Sequence, residues 1–179
     1  IDEQATKKIS PNDKKRIFLK FDGVMTAFTL YVNDKKLLEQ RGGYIPHSIE
    51  ITDYVKVGEN KIFVEVDSTE RNDIPPFGYV VDYLTFGGIY RDVWKYELDN
   101  TFIKNLFFKY EILEHNGTYG KVKCMPIIQV DCLNDENVNI TYNILNNKVD
   151  TNINVKKGIN RYNLNEIIIE NVELWSIEN

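Results

Sequence analysis

Apolar and polar positions along this chain alternate mostly with a period of two, the spacing that turns one face of a β-strand inward and the other to water. The first clear run is Arg16-Ile17-Phe18-Leu19-Lys20-Phe21, closing at Asp22-Gly23, and the second is Ala27-Phe28-Thr29-Leu30-Tyr31-Val32. The Asn33-Asp34 pair that follows predicts a hairpin turn, because both residues tolerate positive φ. Leu37 and Leu38 lead into a breaker-rich corner at Arg41-Gly42-Gly43-Tyr44-Ile45-Pro46. Residues 48–51 alternate again, Gly58-Glu59-Asn60 predicts a turn, and residues 61–66 form the next strand.

Periodicity then fails. Residues 67–86, with Asp73-Ile74-Pro75-Pro76-Phe77-Gly78 inside them, show no clean pattern, and long ordered loops of this size usually carry function. One strand is predicted over residues 88–97, with Ile89, Arg91 and Val93 on one side and Tyr90, Asp92, Trp94 and Tyr96 on the other. Leu98-Asp99-Asn100 is a short polar break, taken as the boundary between a domain at 1–99 and another at 100–179. Beyond it lie strand-like runs at 102–113, 121–130, 138–145, 151–155 and 167–169. Turns are predicted at Asn116-Gly117, Asn134-Asp135, Asn146-Asn147 and Lys157-Gly158. Short strands with regular turn signals are the pattern of a β-sandwich. Gly58-Glu59-Asn60 and Gly158-Ile159-Asn160 share a turn type but are not a repeat.

Composition strengthens the all-β expectation. Among 179 residues there are 11 Tyr and 9 Phe, but Ala5 and Ala27 are the only alanines. The best helix former is nearly absent while strand formers abound. A net charge of -5 argues against a nucleic-acid partner, and no apolar run is long enough to span a membrane. Lys14-Lys15-Arg16, the densest basic cluster, fits a solvated strand end. Cys124 and Cys132, on one face of one strand, are expected to be buried reduced thiols, consistent with a cytoplasmic protein. His47 and His115 are isolated, so no metal-ligand spacing is present. Asn116-Gly117-Thr118 and Asn139-Ile140-Thr141 match the glycosylation pattern, which matters only in a secreted eukaryotic chain.

Four motifs in order carry a family resemblance: Phe21-Asp22-Gly23-Val24 through Tyr31-Val32-Asn33, Gly43-Tyr44-Ile45-Pro46, Gly58-Glu59-Asn60-Lys61-Ile62, and Gly87-Gly88-Ile89-Tyr90-Arg91-Asp92-Val93. With Glu173-Leu174-Trp175-Ser176 near the end, they resemble the N-terminal part of family 2 glycoside hydrolases. The resemblance implies a jelly-roll sugar-binding domain, begun after its first strand, followed by an immunoglobulin-like sandwich. The segment from Asp67 to Thr85 is most similar to the β-galactosidase branch, less so to β-glucuronidases and β-mannosidases. Asn33-Asp34 stands where relatives usually have Asn-Gly. Retaining glycosidases use two carboxyls about 5–5.5 Å apart; the resemblance implies that both are glutamates in a barrel beyond Asn179. No catalytic residue is therefore expected in this chain, and by itself it should be inactive.

The resemblance singles out Asp82 as a substrate-binding residue, and as an alkali-metal ligand in the full enzyme. An ionised carboxylate accepts hydrogen bonds from two sugar hydroxyls or offers hard oxygen to a cation; the plain alternative is a solvated loop aspartate. Asp67, Glu70 and Asp73 fit surface charges better, and Phe77, Tyr79 and Tyr83 fit loop packing better than sugar platforms. Gly87, Gly88, Arg91 and Asp92 are assigned structural support, with Arg91 forking onto a carboxylate or loop carbonyls to brace the long loop. Trp94 and Trp175 are expected in the core or a domain seam. No cofactor is expected in this chain; Mg or Na is expected in the full-length enzyme. The expected partners are a β-galactoside or another carbohydrate and the remainder of a homo-oligomeric parent. A free-standing carbohydrate-binding module and a structural spacer are the competing readings.

Overall fold

The computed structural model describes residues 6–9, 15–78 and 82–177. They form fifteen β-strands, no α-helix and one short 3₁₀ turn at Thr52–Tyr54, so the protein is all-β. The chain divides into two compact units, Ile1–Asp99 and Asn100–Asn179.

The first unit contains β1 (Thr6–Ile9), β2 (Lys15–Phe21), β3 (Val24–Met25), β4 (Ala27–Val32), β5 (Lys35–Arg41), β6 (His47–Glu50), β7 (Gly58–Asp67), β8 (Gly88–Ile89) and β9 (Val93–Asp99). Every pairing is antiparallel, in sheets ordered β1-β7-β4-β5 and β6-β2-β9, with β3 paired to β8. Ile17, Leu19 and Phe21 from β2 meet Phe28, Leu30 and Val32 from β4, with Ile49 and Ile51 closing the core. Each such buried side chain contributes roughly 1.5–3 kcal/mol.

The Asn33-Asp34 turn forms with φ of 50° and 65°, the two positive values a two-residue hairpin loop favours. A register shift in the β4–β5 pairing gives β5 one extra residue, and both Leu37 and Leu38 pack on the core. Arg16, buried, sends two guanidinium nitrogens to Glu50 at 2.9 and 2.6 Å.

Three sequence expectations change here. Residues 88–97 are not one strand: β8 pairs with β3, β9 pairs with β2, and the chain changes partner through Tyr90-Arg91-Asp92. At this break the Tyr90 amide donates to the Gly23 carbonyl at 3.4 Å, and the Asp92 carbonyl accepts the Asp22 amide at 3.0 Å. Gly58-Glu59-Asn60 is already strand, because β1 pairs along it. Its turn lies just upstream, where the buried Asn60 amide receives Lys56 N–H and donates to the Lys56 and Gly58 carbonyls. Trp94 is half-exposed rather than core, and its indole N–H donates to Asp22 at 2.7 Å.

The second unit contains β10 (Thr101–His115), β11 (Tyr119–Cys132), β12 (Glu136–Ile144), β13 (Asn147–Val155), β14 (Gly158–Asn163) and β15 (Ile167–Glu173). β10 lines one edge of β11, while β14 and β15 follow each other along the other edge. β12 and β13 form a separate ribbon, and Ile128, Val130, Cys132, Val155 and Leu164 make the core. The ribbon's turn is Leu145-Asn146, one residue earlier than expected, since Asn147 already pairs with Ile144. Lys157-Gly158 likewise runs directly into β14, which pairs with Cys132 at Gly158. Gly158 (φ +93°) and Asn160 repeat the Gly58–Asn60 device: Asn160 donates to the Lys156 carbonyl as Asn60 does to that of Lys56. Both cysteines are free; Cys132 is buried but Cys124 only half-buried, because it sits opposite the exposed Tyr110 on β10. Trp175 is largely exposed, not core.

Candidate functional site

The candidate site is built on the segment between β7 and β8, which the sequence leaves irregular and the structure ties down at several points. At its start, the Asp67 carbonyl accepts the Thr26 amide at 3.0 Å and Ser68 Oγ donates to the Met25 carbonyl at 3.1 Å. The Asp67 carboxylate receives the Thr69 hydroxyl at 2.6 Å and amide at 3.0 Å, and these bonds hold its pKa below the ordinary 3.8. Asp73 is gripped from two sides, by Arg71 Nε at 3.1 Å and Arg41 Nη1 at 2.9 Å. The Arg71 bond is the larger reason that its pKa is also lowered. Ile74 is buried, Glu70 accepts the Gly78 amide, and the Pro75–Pro76 peptide is cis. Asp67, Glu70 and Asp73 are thus braces within the loop.

Asp82 lies beyond these braces, in a bend, with an exposed side chain. No hydrogen bond or ion pair among the described residues engages its carboxylate, so both oxygens are open to accept hydroxyl groups from outside. Next to it, the Tyr83 ring meets Tyr44 edge-on at 6.5 Å, and Tyr44 meets Tyr90 at 6.2 Å. A hydrogen bond with Tyr83 is the main reason that the Tyr44 hydroxyl is pushed up to about 12. The Tyr90 hydroxyl donates to the Gly43 carbonyl at 2.7 Å. The segment holding Asp82 is thereby joined to the corner at residues 42–46 through three tyrosines. Of these, the sequence suggested only Tyr83 as a candidate; Tyr44 was legible only as part of a motif, and its position after Gly42-Gly43 was the available signal. Tyr79 lies outside the described residues, and Phe77 is an exposed aromatic on the same loop.

The supporting residues divide in role. A Cβ on Gly87 would stand 2.7 Å from Ser68 Cβ, so Gly87 lets the two ends of the loop close on each other. Gly88 supplies the positive φ. Asp92 contributes its backbone carbonyl to the Asp22 amide. Among the described residues Arg91 does not fork onto a carboxylate; its guanidinium lies over the Tyr90 ring, 5.2 Å from the centroid. Beside it, Asp22 is held below its usual range, first by Lys20 and next by the Trp94 indole.

A hard cation takes about six oxygen ligands. Among the described residues no group of three or more His, Cys, Asp and Glu side chains converges.

Residues 6–99 match the family model described as glycosyl hydrolases family 2, sugar binding domain. The chain is 47% identical over 102 residues to a β-galactosidase of Thermoanaerobacter pseudethanolicus, covering 56% of this chain and 14% of that enzyme. It is 34% identical over 178 residues to a β-galactosidase of Thermoanaerobacterium thermosulfurigenes, covering 92% of this chain and 24% of that enzyme. The crystal structure of a Bacteroides uniformis β-glucuronidase superposes with a TM-score of 0.77 at 26% identity, over 97% of this chain and 22% of that one. The chain thus spans a quarter or less of the length of these relatives. A family model matching more than half of the residues, on an all-β fold shared with family 2 enzymes, means that the chain belongs to glycosyl hydrolase family 2.

Proposed function

We propose that this chain is a non-catalytic portion of a β-galactosidase-like retaining glycosidase, and that it forms one wall of the parent enzyme's substrate site through Asp82. The observation that carries this reading is an exposed carboxylate, without a partner among the described residues, next to an edge-on tyrosine cluster and following a stretch of loop braced by Arg41, Arg71 and Asp73. A substrate contact needs such an arrangement, because a group that must meet sugar hydroxyls gains from a fixed position. The parent's hydrolysis of terminal β-D-galactosides is supported by the two β-galactosidase relatives. The alternative, a β-glucuronidase parent, is supported by the fold shared with the Bacteroides uniformis enzyme.

The test is turnover of chromogenic β-galactoside and β-glucuronide by the full-length gene product and by the 179-residue chain in parallel. The reading expects the full-length product to hydrolyse the galactoside and the short chain to hydrolyse neither. Activity of the short chain overturns the non-catalytic assignment, and a full-length product selective for glucuronide overturns the substrate. Saturable NMR shifts of the short chain with galactose or lactose would instead favour an autonomous carbohydrate-binding module.

A further inference from the structure

Asp82 lies in the least anchored stretch of its segment. Upstream, the braces end where Glu70 accepts the Gly78 amide. Downstream, the next tie is the close approach of Gly87 to Ser68. Among the described residues, Tyr83 is the member of 82–86 that reaches another segment by a hydrogen bond or ring contact, packing edge-on against Tyr44 at 6.5 Å. Leu84 and Phe86 beside it are 82% and 65% exposed.

Tyr44 stands on fixed backbone. The Gly42 amide donates to the Thr26 carbonyl at 3.0 Å, and the Gly43 carbonyl accepts the Tyr90 hydroxyl at 2.7 Å. A Cβ on Gly43 would stand 2.5 Å from the side chain of the buried Met25, so the corner lies directly on a core residue. The Tyr90 ring fills the space that a Cβ on Gly23 would need, with its Cζ at 2.8 Å from that position. It is thereby wedged between two glycine backbones, and Tyr44 packs edge-on against it at 6.2 Å. A line of contacts runs from the core through Gly23, Tyr90 and Tyr44 to Tyr83, and ends one residue from Asp82.

We infer that Tyr44 is a positioning residue for Asp82, acting through Tyr83. The inference rests on the reading that Asp82 contacts substrate, and adds what holds that contact in place. Neither tyrosine has to touch the sugar. A reacting geometry displaced by about 1 Å can cost on the order of 100-fold in rate, so a ring pair that restrains an otherwise loosely held stretch has a direct effect on turnover. Edge-on packing suits this task, because it is a preferred aromatic geometry and fixes where the Tyr83 ring sits.

Double-mutant cycles in the full-length enzyme test it, read as kcat/KM on a chromogenic β-galactoside. Tyr44→Ala should lower kcat/KM about 10-fold, while Tyr44→Phe, which keeps both ring contacts, should stay within about 2-fold of the unmodified enzyme. Tyr83→Leu removes the ring from the loop side, leaves the corner untouched and should match Tyr44→Ala; where Tyr44→Ala fails to fold, it carries the test alone. In the Asp82→Ala background neither substitution should cause a further loss, because the group they position is gone. A merely structural role gives a loss that persists without Asp82. Undiminished kcat/KM in the Tyr44 and Tyr83 variants, or losses that multiply with that of Asp82→Ala, overturn the inference and leave the role of Asp82 standing. Unchanged kinetics in Asp82→Ala itself overturn the reading beneath it, and the inference with it.

Discussion

The Tyr90 hydroxyl donates to the Gly43 carbonyl at 2.7 Å, joining two segments 47 residues apart in sequence. The same ring carries the Arg91 guanidinium and meets Tyr44. Tyr90→Phe keeps the ring and removes the bond, so the first unit should lose about 1 kcal/mol. Urea denaturation measures this, and an unchanged midpoint would show that the bond does not help to hold the corner.

The two adjacent glycines should fail differently when each is replaced by alanine. Gly88→Ala places a Cβ at φ +95° and should cost about 1–3 kcal/mol whatever surrounds it. Gly87→Ala drives a Cβ to 2.7 Å from Ser68 Cβ. Combining Ser68→Gly with Gly87→Ala should recover part of the lost stability, whereas Ser68→Gly should do nothing for Gly88→Ala. Thermal melts of the four variants check the distinction.

Arg16 is buried while the Glu50 side chain keeps 34% of its exposure, so the pair is only partly desolvated. Arg16→Met should therefore cost about 2–3 kcal/mol, at or below the bottom of the range for breaking a fully buried pair. Arg16→Met with Glu50→Leu should recover part of the loss, because the Glu50 carboxylate, which keeps the Thr52 hydroxyl but has lost the guanidinium, is then gone as well. A double-mutant cycle by denaturation decides it.

Acid should loosen the loop before it unfolds the unit. Asp67 and Asp73 both have lowered pKa values in the folded protein, so their stabilising bonds are complete above the ordinary 3.8. The contribution is lost as pH falls through the lowered values, when the carboxyls take up protons. Exchange of the amides at residues 68–78 should accelerate, relative to those of β2 and β4, when pH drops from about 5 to about 3 after correction for intrinsic rates. Parallel behaviour of loop and core would remove these carboxylates from the account.

What the sequence showed and hid has local causes. β2 and β4 were legible because their inward residues face one core, and the Asn33-Asp34 turn because both residues accept positive φ. β5 was not named as a strand, since its bulge sets two leucines side by side and breaks the alternation. β14 was hidden by its polar sequence, Gly-Ile-Asn-Arg-Tyr-Asn, which becomes a strand through pairing with β11. The break at Tyr90-Arg91-Asp92 was invisible because a change of pairing partner leaves an alternating pattern intact. At the candidate site, Asp82 is legible through the family resemblance, whereas the edge-on Tyr83–Tyr44–Tyr90 cluster is not, because its members come from segments joined only by folding.

Whether Asp82 meets the sugar is decided by kcat/KM and melting temperature of Asp82→Ala in the full-length enzyme, on a chromogenic β-galactoside. A substrate contact at Asp82 gives a loss of about 100-fold in kcat/KM, equivalent to about 2.7 kcal/mol of transition-state stabilisation, with the melting temperature unchanged. Unchanged kinetics in a folded Asp82→Ala enzyme would contradict it, leaving Asp82 a solvated loop carboxylate.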